Sequence, residues 1–259
     1  MGAVQKTIIV IPCYNENERL KGEEFVLLSQ RPDLRLLFVN DGSEDRTDQL
    51  LREIAGKLGK AADVLSFEIN QGKAEAVRQG MLHAIKEGAA ITGYIDADMA
   101  TPAKEVLLLL DAAIKRGHEV TLGSRVKLLG TLISRRPMRH YIGRIFATFA
   151  SLILRLSVYD TQCGAKFFRA SPALSNALSE PFISRWIFDV ELIGRLLAGS
   201  ENSKPLAEED FIEIPLHEWK DVKGSKISFI DFVKVAKDLV CIALDLKARR
   251  QKKQGNDNV

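Results

Sequence analysis

Residues 91–102 read ITGYIDADMATP. The run opens on five residues dominated by strand formers. It then reaches two aspartates, Asp96 and Asp98, and closes on Thr101-Pro102, a helix-start pair with Thr101 as N-cap and Pro102 as the first helical residue. A short apolar run that ends in polar residues and turns into a helix is one βα unit. The pattern repeats on either side. Residues 7–12 (TIIVIP), 35–40 (RLLFVN), 64–69 and 119–123 read as further strands, and 47–57 and 73–87 as helices. Strands alternating with helices imply right-handed crossovers and a mainly parallel sheet. Their apolar runs fit strands covered on both faces. The fold class expected is α/β, a Rossmann-like, mainly parallel sheet flanked by helices.

The pattern changes after residue 125. Residues 126–141 are polar and basic, with Lys127, Arg135, Arg136, Arg139 and His140, and read as a mobile loop. The apolar stretch 145–154 lies between Arg144 and Arg155. It is too short to span a bilayer and fits either a buried core helix or one lying in a membrane interface. Further on, 161–168 reads as extended, 186–197 as helix, 211–216 as strand and 217–227 as a loop holding Gly224. Residues 229–246 carry a helical apolar stripe, the mark of an amphipathic C-terminal extension. The expected organisation is one domain over 1–246 and a basic, disordered tail over 247–259.

Bulk properties narrow the function. The chain has 259 residues, 46% hydrophobic and 27% charged, with a net charge of +3, so no global field favours nucleic acid. Cys13, Cys163 and Cys241 form no metal-ligand spacing and fit a reducing compartment. Neither a signal-peptide pattern nor a spanning apolar run is present. The expected location is the cytoplasm, with peripheral contact at the inner face of a membrane as an extension of that reading.

In an open parallel sheet, ligands bind beyond the carboxyl ends of the strands. Those ends carry Pro12-Cys13-Tyr14-Asn15-Glu16, Asn40-Asp41-Gly42-Ser43, Asn70-Gln71-Gly72-Lys73 and Asp96-Ala97-Asp98. Carboxylates, amides and a lysine together fit a phosphate-bearing ligand with a cation. Two aspartates at one strand end repel unless something relieves them, and Mg2+ or Mn2+ does so with oxygen ligands plus substrate phosphates. A solvated turn, with one aspartate capping the next helix, is the rival reading of the pair. Gly72-Lys73 opens a helix, where free N–H groups and an ammonium suit an anion; a routine βα turn is its rival. Neither a Walker A sequence nor GxGxxG is present, which removes the main support for an ATPase or a dinucleotide enzyme.

As an ordered series, IPCYNE, FVNDGSEDRT, NQGKAEAVRQGM, YIDADMATP, LGSR, DTQCGAKFF, RWIFDVEL and WKDVKGSKIS resemble glycosyltransferase family 2 from about Thr7 to Leu246. Within it the chain looks like the polyprenyl-phosphate hexose synthases, in particular the dolichyl-phosphate β-glucosyltransferase branch. Trp219, five residues before Gly224, fits the glucose branch. Asp221 stands where the mannose branch has arginine, and Ala100 where it has glutamine. The resemblance implies a GT-A fold, a nucleotide diphosphate sugar donor, a polyprenyl phosphate acceptor and inversion at the anomeric carbon. Carried over by motif, Pro12, Tyr14, Glu16 and Asp41 would hold the nucleoside, and Asp96 and Asp98 the metal and diphosphate. Lys73, Arg125, Ser225 and Lys226 would contact the diphosphate.

Departure of a diphosphate calls for fixed positive charge, here Lys73, Arg125 and Lys226 beside the metal. Asp41 can accept a hydrogen bond from uracil N3–H, which favours UDP over GDP. Arg135, Arg136 and Arg139 read either as an acceptor-phosphate site or as a solvated basic loop. Asp189 falls where family members with sugar acceptors place a general base. A phosphate acceptor is already anionic and scarcely needs one, so Asp189 would then orient the site; an ordinary carboxylate at a helix N-terminus is the plain alternative. Two other functions remain: transfer to a glycan or soluble hydroxyl, and a non-catalytic module that binds nucleotide sugars.

Overall fold

The computed structural model describes residues 5–134, 137–221 and 229–256. Its first half is the expected alternation: β1 (Thr7–Cys13), α1 (Gly22–Ser29), β2 (Leu34–Asn40), α2 (Thr47–Leu58), β3 (Ala62–Ser66), α3 (Lys73–Lys86), β4 (Ile91–Ile95), α4 (Ala103–Arg116) and β5 (Val120–Ser124). The second half adds β6 (Leu132–Ser134), α5 (Pro137–Leu154), β7 (Ala165–Arg169), α6 (Pro172–Ala177), α7 (Phe188–Ala198), β8 (Phe211–Pro215), β9 (Glu218–Lys220) and α8 (Phe229–Asn256). The main sheet has seven strands in the order β3-β2-β1-β4-β7-β5-β8. All its pairings are parallel except those of β7, which runs antiparallel to both β4 and β5.

Strand alternation divides the core. On β1, Ile8 and Val10 pack with α3 and α7 through Ala76, Val77, Met81 and Val190. Ile9 and Ile11 face the other way, onto Phe25 and Leu28 of α1 and Leu109 and Leu110 of α4. The sheet is therefore covered on both faces, and each fully buried Leu, Ile or Phe contributes about 1.5–3 kcal/mol.

Several expectations need correction. Helix α4 begins at Ala103, with Pro102 as the N-cap residue and no capping by Thr101; the Ala103 N–H is taken instead by Glu24 Oε2, 2.7 Å away on α1. A tertiary acceptor replaces the local one. Strand β3 ends at Ser66 rather than at 69, and Ile69 is exposed. The loop expected over 126–141 contains β6, paired in parallel with β9, and the start of α5. The tail expected to be disordered continues α8 through residues 247–256. Arg249 pairs with Asp245 and Glu180, Arg250 donates to the carbonyls of Ile153 and Leu154, and Lys253 donates to that of Ser203. The Arg250 bonds satisfy orphan carbonyls at the end of α5. The stretch 145–154 divides by face: Ala147, Ala150 and Leu154 are buried, whereas Ile145, Phe149 and Leu152 are exposed.

Candidate active site

The four parallel strands β3, β2, β1 and β4 are neighbours, so their carboxyl ends open on one edge. The loops there are stitched together. Asn15 N–H donates to Ser43 Oγ at 3.1 Å, Glu44 N–H to Asn15 Oδ1 at 2.9 Å, and Glu16 N–H to Thr47 Oγ1 at 2.8 Å. Asn15 and Met99 hold positive φ angles of 52° and 50°. Positive φ is uncommon for non-glycine residues, and the two lie in the loops that leave β1 and β4.

Asp41 lies at the end of β2 and is only 2% exposed. Its Oδ2 accepts from Asn70 Nδ2 (3.0 Å) and Gly72 N (2.8 Å), and its Oδ1 from Gln71 N (2.7 Å). One acceptor position on Oδ1 remains. Burial pushes this carboxyl above its ordinary pKa, against the N–H bonds from Gln71 and Gly72. Gly72 adopts φ +97°, and a Cβ there would lie 3.0 Å from the Arg185 side chain, so the turn that opens α3 requires glycine. Arg185, exposed and electrostatically coupled to Asp41, drew no notice in the sequence.

Lys73 follows immediately, and its Nζ lies 2.5 Å from Asp96 Oδ1. Partial burial works against its ammonium, but Asp96 and then Asp189 hold its pKa above the usual lysine value. Asp98 is raised, first by burial and then by Asp96. Its Oδ1 accepts from Ala100 N at 3.0 Å, the turn bond that the rival reading of the pair expects. Glu16 joins this group: burial, opposed by Arg19 and reinforced by Asp98 and Asp96, pushes it up to about 7. Gly164 faces the cluster, where a Cβ would come within 1.8 Å of Asp96 Oδ2.

A divalent cation fits this donor set. Asp96 and Asp98 offer hard oxygens, and Mg2+ or Mn2+ commonly takes one or two carboxylates and completes its shell with substrate phosphates and water. No group of three or more His, Cys, Asp or Glu able to hold an ion occurs among the described residues, so the protein supplies a partial shell and no closed cage.

Behind Lys73 lies a second charged pair. Asp189, in the first turn of α7, is buried and contacts Lys166 of β7, with Nζ–Oδ1 at 2.7 Å. The Tyr94 hydroxyl donates to the same Oδ1. Burial raises Asp189 to about 7, with Lys73 opposing, and burial lowers Lys166 to about 8.

Arg125 is less free than the motif implies. Its Nε and Nη2 fork onto Asp160 at 2.6 and 2.7 Å, and its guanidinium lies 5.2 Å from the Trp219 ring centre. Asp160 in turn receives a backbone bond from Arg125 N. Pro12 is half-buried and Tyr14 exposed at the end of β1. Arg135, Arg136, Ser225 and Lys226 lie outside the described residues. Strand β9, which leads toward the last two, is tied to the aspartate loop by a 3.0 Å bond from Lys220 N to the Ala100 carbonyl. Cys163 is buried and burial pushes its thiol up to about 11, in keeping with a small core residue. Lys166 was missed, although a lysine inside the apolar run AKFF was its signal.

The profile of glycosyl transferase family 2 matches residues 8–174. A dolichyl-phosphate β-glucosyltransferase of Saccharomyces cerevisiae is 32% identical over 91% of this chain and 73% of its own length. One from Trichomonas vaginalis is 31% identical over 93% and 72%. Among solved structures, glucosyl-3-phosphoglycerate synthase from Mycobacterium tuberculosis with UDP superposes with a TM-score of 0.66 at 16% identity, covering 93% of this chain and 80% of that one. A second structure of that enzyme contains Mn2+, UDP and product, with a TM-score of 0.63. The likeness extends to the fold, a mainly parallel GT-A type sheet with flanking helices.

Proposed function

The chain belongs to glycosyl transferase family 2, and on that premise we propose that it transfers glucose from UDP-glucose to a polyprenyl phosphate of the dolichyl type, with inversion at the anomeric carbon. The observation that carries this reading is the convergence of Lys73, Asp96 and Asp98 at one sheet edge, in a chain similar over nine-tenths of its length to dolichyl-phosphate glucosyltransferases.

Asp41 accepts the uracil N3–H with its remaining lone pair, and Pro12, Tyr14 and Glu16 line the nucleoside. Asp96 and Asp98 would hold Mg2+ or Mn2+, which supplies positive charge for the departing diphosphate. Lys73 turns from Asp96 to the phosphate oxygens as charge develops there, assisted by Ser225 and Lys226. Arg125, forked onto Asp160, contributes its field and fixes Trp219 rather than reaching for phosphate with both arms. Asp189, enclosed by Lys166 and Tyr94, orients the site; a phosphate acceptor already carries the charge it attacks with. Arg135 and Arg136 receive the acceptor phosphate. The exposed face of α5, with exposed Arg155 just past its end, meets the membrane from which that acceptor extends.

The test uses Mn2+, radiolabelled UDP- and GDP-sugars and a polyprenyl phosphate, followed by lipid extraction. Label from UDP-glucose in the lipid phase is the expected result. Label on a water-soluble acceptor alone would replace the lipid reading with a hydroxyl-directed transferase. UDP-glucose binding without any transfer would leave a binding module.

A further inference from the structure

Lys166 lies in the middle of β7, with a side chain only 1% exposed. Its register partners are Tyr94 on β4 and Leu122 on β5, so the three side chains share one face of the sheet. That face belongs to the apolar cluster containing Phe168, Phe188 and Val190. Everything about the position calls for an apolar residue. Instead Nζ contacts Asp189 Oδ1, donates to the Cys163 carbonyl and lies 5.3 Å from the Tyr94 ring centre. Asp189 also has Gln162 Nε2 at 3.5 Å from Oδ2.

A buried ion pair of this kind does not repay its own desolvation better than two well-packed apolar side chains would. Stability therefore gives no reason for it. Its neighbourhood does. Asp189 raises the pKa of Lys73, and Lys73 in turn acts on both Asp189 and Lys166. Asp160 and Arg125 also act on Lys166. The chain itself joins the two ion pairs, Lys166–Asp189 and Lys73–Asp96: Lys166 Nζ bonds the Cys163 carbonyl, and the next residue, Gly164, takes the Asp96 N–H on its carbonyl and leaves no room for a Cβ beside Asp96 Oδ2.

We propose that Lys166, with Tyr94, is a positioning residue that fixes Asp189 as an oriented carboxylate beside the Lys73–Asp96 pair where the leaving diphosphate is received. The inference rests on the donor site proposed above. Lys166 touches no substrate; it acts through Asp189. Without it, a buried carboxylate with no cation turns away or takes up a proton, and the charge balance beside the Lys73–Asp96 pair changes.

The experiment is a double-mutant cycle on the full chain, with kcat and KM for donor, UDP affinity by calorimetry and a thermal melt for every variant. Lys166→Met should lower kcat roughly 30-fold or more while KM changes less than about 3-fold, and Lys166→Arg should recover to within about 5-fold of the unaltered chain. Asp189→Asn should fall comparably, and adding Lys166→Met to it should cost less than about 3-fold more. Losses that multiply in the double variant overturn the proposal, as does a folded Lys166→Met chain with unchanged kcat. If Lys166→Met fails to fold, the double variant, which buries no lone charge, decides: turnover at the wild-type rate overturns the assignment, and a loss matched by Asp189→Asn alone supports it. Failure of the unaltered chain to transfer hexose at all would instead sink the proposed function.

Discussion

Glu16 carries an oxygen, Oε2, with no hydrogen-bond partner among the described residues, although its side chain is only 13% exposed. Burial lifts its pKa from 4.5 to about 7, with Asp98 and Asp96 adding to the rise against Arg19. The folded-state value stands above the unfolded one, so the contribution of Glu16 to stability is complete below about 4.5 and is lost as pH rises through about 7. Glu16→Gln removes that loss. Relative to the unaltered chain it should gain on the order of 1–3 kcal/mol, a few degrees of Tm, at pH 8.5 and little at pH 4.5. Equal gains at both pH values would show that the carboxylate is not the source. The same substitution should weaken UDP binding, since a buried carboxylate oxygen left without a partner at a ligand edge is stability given up for function. Asp98 offers a simpler test. Asp98→Asn keeps the shape of the 3.0 Å turn bond to Ala100 but removes the charge. It should leave the melt near native and lower Mn2+-dependent UDP affinity about 10-fold or more. Unchanged Mn2+-dependent binding by calorimetry would remove Asp98 from the ion.

Strand β7 sets how closely the site can be built. It runs antiparallel between β4 and β5, and Asp96 N–H continues the β4 ladder by donating to the Gly164 carbonyl at 3.0 Å. The carboxylate of Asp96 consequently lies over Gly164, with no room for a Cβ. Gly164→Ala should therefore behave as a defect of Asp96, lowering Mn2+-dependent UDP affinity about 10-fold or more while the protein still folds. Native affinity in that variant would mean that Asp96 is free to move aside. This relation also shows where sequence reading runs out. The parallel half was legible because each βα unit declares itself locally, and the strand-end residues Glu16, Asp41, Lys73, Asp96 and Asp98 follow from it. The direction of β7 was not legible, because an extended segment looks the same running either way. The cap of α4 was missed because Glu24 reaches Ala103 from a different helix, and the ordering of residues 247–256 because their partners, Glu180, Ile153, Leu154 and Ser203, are distant in sequence. Lys166 escaped notice for a related reason: its partner Asp189 is met only through the tertiary fold.

No helix among the described residues is long and apolar enough to cross a membrane. The proposed membrane contact falls on α5, which carries an exposed apolar face. Tyr141, Ile145, Phe149 and Leu152 recur at helical spacing and are exposed, while Ala147, Ala150 and Leu154 hold the opposite side in the core. α8 adds exposed Val240 and Leu244, with Lys234, Lys237 and Lys247 exposed along it. Apolar side chains entering the headgroup region contribute by burial, and each lysine or arginine near an anionic leaflet adds about 1 kcal/mol that salt screens. The expected behaviour is binding to vesicles containing anionic phospholipid, falling as salt rises and falling again in Arg135→Ala/Arg136→Ala. A triple replacement, Ile145→Asn/Phe149→Asn/Leu152→Asn, separates the interface from the core. Because these side chains are already in water, the melt should move by no more than about 1 kcal/mol, whereas vesicle co-sedimentation should be lost. Transfer to a long polyprenyl phosphate in vesicles should drop with it, and transfer to a short-chain, water-soluble analogue should not. Full vesicle binding by the triple variant would place the membrane contact elsewhere on the molecule. Equal loss with the short analogue would mean that α5 serves the reaction itself and not the approach to the bilayer.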